Sequence, residues 1–452
     1  MPGLSEELNN EIVEAIRNED AETLRHILDE IHPYDMAQAL LNLDEEERKI
    51  FSKLTDEELA DILEELDHEE QQSLLETIGL VRGARIIERM APDDAADYLG
   101  ELNEAEKEEI LSKLDQEIAS DIRQLLRYPD NTAGGLMTID YFFLYQYDTV
   151  ERAISRLRNL APDAESIYYL FVVDDSHRLI GVVSLRELIV ANPETMVEDI
   201  MSERVVSVPV DMDQEEVAKT MGNYGFLALP VIKGEKMVGV VTVDDAIEVI
   251  EEEASEDMMK FGGISGSEDG LQDLSIGPIK ASMNRIPWLV LLLGVGVLAG
   301  NIIDRFEETL DAVVVLAVFI PMIADMAGNT GTQSLAVVVR GLTMGQFSGK
   351  NVWKLLKREA IVGVIIGIVN GVLISIIAAL WQRSMMLGFV IGLSLSITLF
   401  VATLAGTVVP LIMTKLKIDP AVASGPFITT VNDIVGLTIY FTVATRFMHY
   451  LV

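Results

Sequence analysis

Five apolar runs toward the C-terminal end of the chain leave little choice of environment for it. Residues 286–303 carry no charge over 18 positions, residues 360–382 none over 23, and residues 384–414 none over 31. Residues 312–339 are interrupted only by Asp325, and residues 420–445 only by Asp433. A helix needs about 20 apolar residues to cross a bilayer, so the pattern predicts five membrane spans. A carboxylate at bilayer depth costs at least ~2.5 kcal/mol and usually faces a polar pathway rather than lipid. Asp433 is the only charge in P-F-I-T-T-V-N-D-I-V-G, residues 426–436, and Thr429, Thr430 and Asn432 lie within four residues of it. Asp433 is therefore read as a cation site. The plainer alternative is a carboxylate that is protonated or bonded between helices.

The second run, at 28 residues, is about 42 Å of helix against a hydrocarbon core of about 30 Å. Its middle, P-M-I-A-D-M-A-G-N-T-G-T-Q-S, predicts a helix loosened at Pro321, Gly328 and Gly331, with freed carbonyls facing protein or water. Asp325, Asn329, Thr330, Thr332 and Gln333 add side-chain oxygens there. Close helix packing by small residues is the competing use of the glycines. Loop charges orient the spans. Lys280, Arg285, Arg340, Lys350, Lys354, Lys357, Arg358, Lys415 and Lys417 fall on one side, and Arg305, Arg383 and Arg446 on the other. The positive-inside rule then places residues 1–278 in the cytosol and the C-terminus outside. The opening residues show no basic, apolar signal pattern, so no cleaved leader is expected.

Charge divides the chain at the same place. Residues 1–278 hold 65 acids against 22 bases, a net of −43, whereas residues 279–452 carry +4. A field of that sign repels nucleic acid and attracts cations. The absence of cysteine excludes disulfides and thiolate metal sites. Five scattered histidines without an HExxH motif give a zinc hydrolase no footing, and the chain is not expected to be an enzyme.

Within the acidic part, P-Y-D-M-A-Q-A-L-L-N-L (33–43), D-E-E-L-A-D-I-L-E-E-L (56–66) and P-D-D-A-A-D-Y-L-G-E-L (92–102) repeat, each followed by an acid-rich helix. The repeats predict an α-helical solenoid of hairpins over residues 1–130. A second repeat fills 137–250. Y-Y-L-F-V-V-D-D-S-H-R-L-I-G-V-V-S-L-R-E-L-I is echoed by F-L-A-L-P-V-I-K-G-E-K-M-V-G-V-V-T-V-D-D-A-I, with halves at 137–199 and 200–250 opened by Met137-Thr138 and Met201-Ser202. This α/β pattern resembles a tandem CBS pair, a regulatory module that often binds adenine nucleotides. Thr242 and Asp245 match that family's nucleotide position, and Ser184 with Glu187 matches it less closely. An acidic connecting helix and a Gly/Ser-rich linker occupy 243–278, and the membrane part is 279–452.

Together the acidic helical domain, the CBS pair, the connecting helix, P-x-x-x-D-x-x-G-N-T-G-x-Q-S and P-F-x-T-T-x-x-D resemble the MgtE family of magnesium channels over essentially the whole chain. The resemblance implies a homodimer with its pore on the two-fold axis, two facing copies of Asp433, and Mg²⁺ as the ion. It implies Asp325, Asn329, Thr330, Gly425 and Asn432 along the pore. Gly425 and Gly225 depart from residues some members use to coordinate ions. A sparse two-carboxylate site suits an ion that dehydrates reluctantly. The acidic part is then read as a sensor that closes the pore when Mg²⁺ bridges it. Its candidate ligands are Asp93, Asp94 and Asp97; Asp245 and Glu248; Glu253, Glu256 and Asp257; and Asp419 on the loop before the fifth span. The alternative is a secondary transporter coupled through Asp325 or Glu359. A CBS-bearing chloride channel is disfavoured, because the intramembrane charge is negative.

Overall fold

The structure, a computed structural model, describes residues 12, 21–28, 31–40, 43, 53–160, 167–264, 278–343, 347 and 350–451. The acid-rich helix after the first N-terminal repeat, apart from Lys53 and Leu54, and the Gly/Ser-rich linker beyond Ile264 lie outside them. Two compact units are present, Met1–Glu253 and Ala254–Val452.

The first unit opens with helices α1 (Ala21–Leu28), α2 (Pro33–Leu40), α3 (Asp56–Glu64), α4 (His68–Ile78), α5 (Leu80–Ile87), α6 (Pro92–Gly100), α7 (Glu104–Leu111) and α8 (Gln116–Leu125). Short helices of this kind depend on their caps. Thr55 and Glu58 form a reciprocal capping box at α3, and Asp67, Asn103 and Asp115 cap α4, α7 and α8. The repeat proves to be three helices long rather than a hairpin: α3 packs on α5 as α6 packs on α8. The extra helix follows α4 directly through Gly79, whose φ of 90° lets the chain turn without a side-chain clash. Leu59, Leu63, Ile86, Leu99 and Ile122 form the core beneath.

Two matching sheets follow. Strands β1 (Phe143–Tyr145), β2 (Tyr169–Val173) and β3 (Leu179–Ser184) lie in order β1-β2-β3, with the first pair parallel and the second antiparallel. β4 (Val208–Pro209), β5 (Ala228–Lys233) and β6 (Lys236–Thr242) repeat that arrangement, including a register shift near the end of the middle strand. Helices α9 (Val150–Leu160), α10 (Leu185–Val190), α11 (Val197–Ile200) and α12 (Gln214–Tyr224) connect the strands. The halves exchange their leading dipeptides. Thr138 bridges to Val240 and Ser202 to Val182. Met137 lies over Gly239 and Met201 over Gly181, where a Cβ would meet the methionine sulfur at 2.6 and 2.4 Å. Helix α13 (Val243–Gly262) leaves β6 and ends at Gly263, φ 71°.

The second unit holds α14 (Pro278–Arg305), α15 (Glu307–Ala312), a 3-10 turn (Val314–Phe319), α16 (Ile320–Thr343), α17 (Lys350–Gln382), α18 (Met385–Lys415), a 3-10 turn (Pro420–Val422), α19 (Gly425–Arg446) and α20 (Met448–Leu451). Among the described residues, five segments are long and apolar enough to cross a membrane, and they fall on the five runs read from the sequence. The second span does not loosen at its glycines. Its surplus length is taken by the 3-10 turn, Pro321 sits in the first turn of α16 where its missing N–H costs little, and the helix runs on unbroken to Thr343. Small residues let α17 and α18 approach closely: Ser396 Oγ donates to the Gly367 carbonyl at 2.9 Å, and a Cβ on Gly392 would meet the Gly371 carbonyl at 2.5 Å. The core includes Leu316, Phe319, Leu399, Tyr440 and Phe441, and the Tyr440 hydroxyl donates to the Leu316 carbonyl at 2.9 Å.

Candidate functional site

The membrane-embedded acids lie where α16 and α19 run antiparallel. Gly328 faces Thr429 and Gly331 faces Asn432; a Cβ on Gly331 would stand 1.8 Å from Asn432 Nδ2. Gly406 of α18 closes on the Gly331 carbonyl from a third side, and Thr332 and Thr429 share a hydroxyl–hydroxyl hydrogen bond of 3.2 Å. The glycines thus serve packing. On α16, Asp325, Asn329 and Gln333 are spaced by four, and all three are exposed along one face of the helix. Asp433 is half-buried, its Oδ1 is shielded and has no hydrogen-bond partner, and the charge acting on it is the carboxylate of Asp325.

Two residues expected along the pore point elsewhere. Thr330 and Asn432 are only 4 % and 1 % exposed, inside the helix bundle of one chain. A step of one residue turns a helix by about 100°, so Asn432 cannot share the face of Asp433, nor Thr330 that of Asn329. Both polar atoms of the Asn432 amide lack partners. Gly425 is buried at the start of α19, where a side chain would meet Thr332 and Phe261.

The first unit gathers a second set of acids. Asp93 and Asp94 occupy the first turn of α6, where the helix dipole favours negative charge. Burial, then Asp93, Glu64, Asp97 and Asp245, push the Asp94 carboxyl up to about 9. Asp97, though exposed at its outer edge, is raised to about 8, first by burial of its carboxyl and then by Asp93, Asp130, Asp245 and Glu248. Asp245 and Glu248 are raised as well, chiefly by burial. These acids therefore crowd one another. Among the described residues no three acidic or histidine side chains converge closely enough to hold a metal ion as they stand. Glu253 accepts a hydrogen bond from Gln214 Nε2 at 2.9 Å.

The CBS half-sites differ in access. Thr242 Oγ1 donates to Asp245 Oδ2 at 2.8 Å, and Ser184 Oγ donates to Glu187 Oε2 at 2.7 Å, each at the start of the helix after the last strand. Thr242 is only 5 % exposed and Asp245 belongs to the crowded acid group, so the closer sequence match is the less open half. Ser184 and Glu187 lie in the open half. Ser184 pairs with Tyr169 across β2 and β3, Tyr169 meets Phe226 edge-on at 6.4 Å, and Phe226 stacks on exposed Tyr224 at 5.2 Å. The Ser184 hydrogen bonds hold the Glu187 carboxyl below its usual range. Tyr169 and Phe226 escaped the sequence reading because aromatics beside strands ordinarily signal core.

In the second unit, the end of α13 sits at the mouth of α19. Phe261 packs on a cluster of Leu335, Val339, Ala421, Ala423 and Ile428. Asp419 accepts from Ala421 N at 2.8 Å, and Lys260 Nζ reaches Asp419 Oδ2 at 2.7 Å and Glu256 Oε1 at 2.6 Å.

Fold and site together define a multi-span membrane protein of the cation-transporting class, with a regulatory CBS pair on its N-terminal side. Residues 320–443 match the MgtE divalent cation transporter family, 31–131 the MgtE intracellular N domain, and 133–194 and 197–252 the CBS domain. The magnesium transporter MgtE of Bacillus subtilis (strain 168) is 42 % identical over 446 residues, covering 98 % of each chain. That of Enterococcus faecalis is 40 % identical over 445 residues, covering 98 % of this chain and 97 % of its own. The cytosolic domain of the Mg²⁺ channel MgtE in complex with ATP superposes with a TM-score of 0.51 at 41 % identity, covering 53 % of this chain and 99 % of that one. The chain belongs to the MgtE family, a family of transporters and not of enzymes, and its N-terminal domain is intracellular.

Proposed function

We propose that the protein is a Mg²⁺ channel of the cell membrane, working as a homodimer in which Asp433 of each copy faces the pore and the C-terminus lies outside. The observation that carries this reading is the pair Asp433 and Asp325: two carboxylates at membrane depth, one with a shielded, unbonded oxygen, and each the other's charged neighbour. Such an arrangement is costly without a cation. Mg²⁺ keeps most of its waters and needs few carboxylates, which fits so sparse a site.

Gating falls to the acids of the first unit. Asp93, Asp94 and Asp97 with Asp245 and Glu248 take Mg²⁺, whose charge relieves their repulsion, and the liganded state closes the pore. Glu253, Glu256, Asp257 and Asp419 carry the closure along α13. ATP or another adenine nucleotide binds the CBS pair in the half formed by Ser184, Glu187, Tyr169 and Phe226. The open aromatic surface there supports this choice over Thr242 and Asp245, and the ATP complex of the 41 %-identical cytosolic domain supports nucleotide binding as such.

The test is Mg²⁺ flux into liposomes holding the full chain. Asp433→Asn and Asp433→Ala should cut flux more than about tenfold, the rate equivalent of ~1.4 kcal/mol, while size exclusion reports an unchanged assembly. Undiminished flux overturns the pore assignment. One observation favours coupled transport as a second reading: Glu359 lies 3 % exposed in α17, with Arg358 Nε at 3.6 Å. Imposed Na⁺ and H⁺ gradients separate the two, since only a coupled transporter is driven by them.

A further inference from the structure

The contact between the end of α13 and the mouth of α19 is built around a cation the chain carries itself. Glu256 on α13 and Asp419 on the loop before α19 are close enough to share one ammonium, that of Lys260, at 2.6 and 2.7 Å. All three side chains are partly shielded, with Lys260 28 % exposed. The two carboxylates in turn hold the Lys260 ammonium in its charged form against the cost of burial. Asp419 spends its other oxygen on the Ala421 amide, which fixes its orientation. Beside this triad Phe261 is seated in its apolar cluster, and its carbonyl approaches Gly425, the first residue of α19. Gly263 then turns the chain beside Ser424 and Pro426.

We propose that Lys260 is a tethered counter-cation that keeps the end of α13 on the mouth of α19 when no Mg²⁺ is bound, and that a divalent cation must displace it to use Glu256 and Asp419. The chemistry is one of competition for a single position. A Mg²⁺ ion takes one or two carboxylates and fills its remaining sites with water. The ammonium occupies the centre of the same two carboxylates and supplies three donors. Because it is tethered, its effective concentration is on the order of millimolar, the range in which exposed carboxylate sites fill with divalent cations. Lys260 thereby sets the concentration at which Mg²⁺ enters. This rests on the gated-channel reading for its consequence, though not for the contact itself.

Hydrogen exchange over residues 254–263 of the full-length protein decides it independently of flux. In EDTA the wild-type segment should be protected. Lys260→Gln, which leaves Glu256 and Asp419 facing each other uncompensated, should raise exchange there about fivefold, the shift that partly exposed ion pairs support. Lys260→Arg should restore protection, and exchange within residues 385–415 should stay unchanged as a check on folding. Added Mg²⁺ should protect Lys260→Gln at a lower concentration than it needs to suppress wild-type flux. Equal protection of wild type and Lys260→Gln in EDTA, or an unprotected wild type, overturns the proposal. If Mg²⁺ leaves the flux of both proteins unchanged, the gated reading fails while the exchange result still judges the role of Lys260.

Discussion

Asp94 shows how far a single residue's chemistry is set by its surroundings. In sequence it is one acid among many in a domain of net −43, and a solvated surface carboxylate is the default. In the fold it is surrounded by Asp93, Glu64, Asp97 and Asp245, and its carboxyl is raised to about 9. Linkage gives the sign. The folded state holds the proton up to about pH 9 and the unfolded state releases it near 4, so the folded state binds more protons in between and stability falls as pH rises through that window. In EDTA the protein should therefore unfold at lower temperature at pH 8.5 than at pH 6. Asp94→Asn should flatten that dependence, and Mg²⁺ should restore the loss at pH 8.5. Unfolding temperatures measured on the four combinations check it; equal values for wild type at both pH values would rule out the crowding argument. Asn432 teaches the converse lesson. Its neighbour Asp433 faces another acid, yet Asn432 is turned into the bundle against Gly331, a difference decided by one residue's rotation of the helix.

At the scale of elements, periodicity recovered the helices and strands but not their partners. The five spans were legible because an uncharged run of 18 residues or more has few other uses. The third helix of each N-terminal unit was not. α5 and α8 are set off from the acid-rich helices before them by Gly79 and the Asp115 cap, and the hairpin reading gave them no place. The CBS repeat was visible as two copies, whereas the exchange of Met137-Thr138 and Met201-Ser202 between sheets was not, since pairing between distant strands leaves no local pattern. That geometry also ranks the nucleotide half-sites. Phe226→Ala should weaken ATP binding to the full-length protein by about 10- to 100-fold, as loss of a base-stacking aromatic does. Thr242→Ala should leave it nearly unchanged. Titration calorimetry distinguishes them, and the reverse order would return the site to Thr242 and Asp245.

For the whole molecule, the proposed topology follows from parity: if all five apolar helices cross the membrane, an intracellular N-terminal domain puts the C-terminus outside. Because the chain has no cysteine, one added after Val452 is a clean reporter. It should react with an impermeant thiol reagent in intact cells, and protection until the cells are opened would rule out five crossings.

What the sequence by itself determined is what depends on local composition. An apolar run must leave water, and a repeat must recur as structure. From these the membrane domain, the CBS pair and the helical array were readable, and the family resemblance followed. Tertiary structure alone decided which face each polar residue occupies and which charge stands opposite it. It turned Asn432 and Thr330 inward, made packing surfaces of Gly328 and Gly331, crowded Asp94 and Asp97 together, and set Lys260 between Glu256 and Asp419. The reason is distance. Electrostatics and close packing act over a few ångströms between residues as far apart in sequence as 260 and 419, and only the folded chain brings them that near.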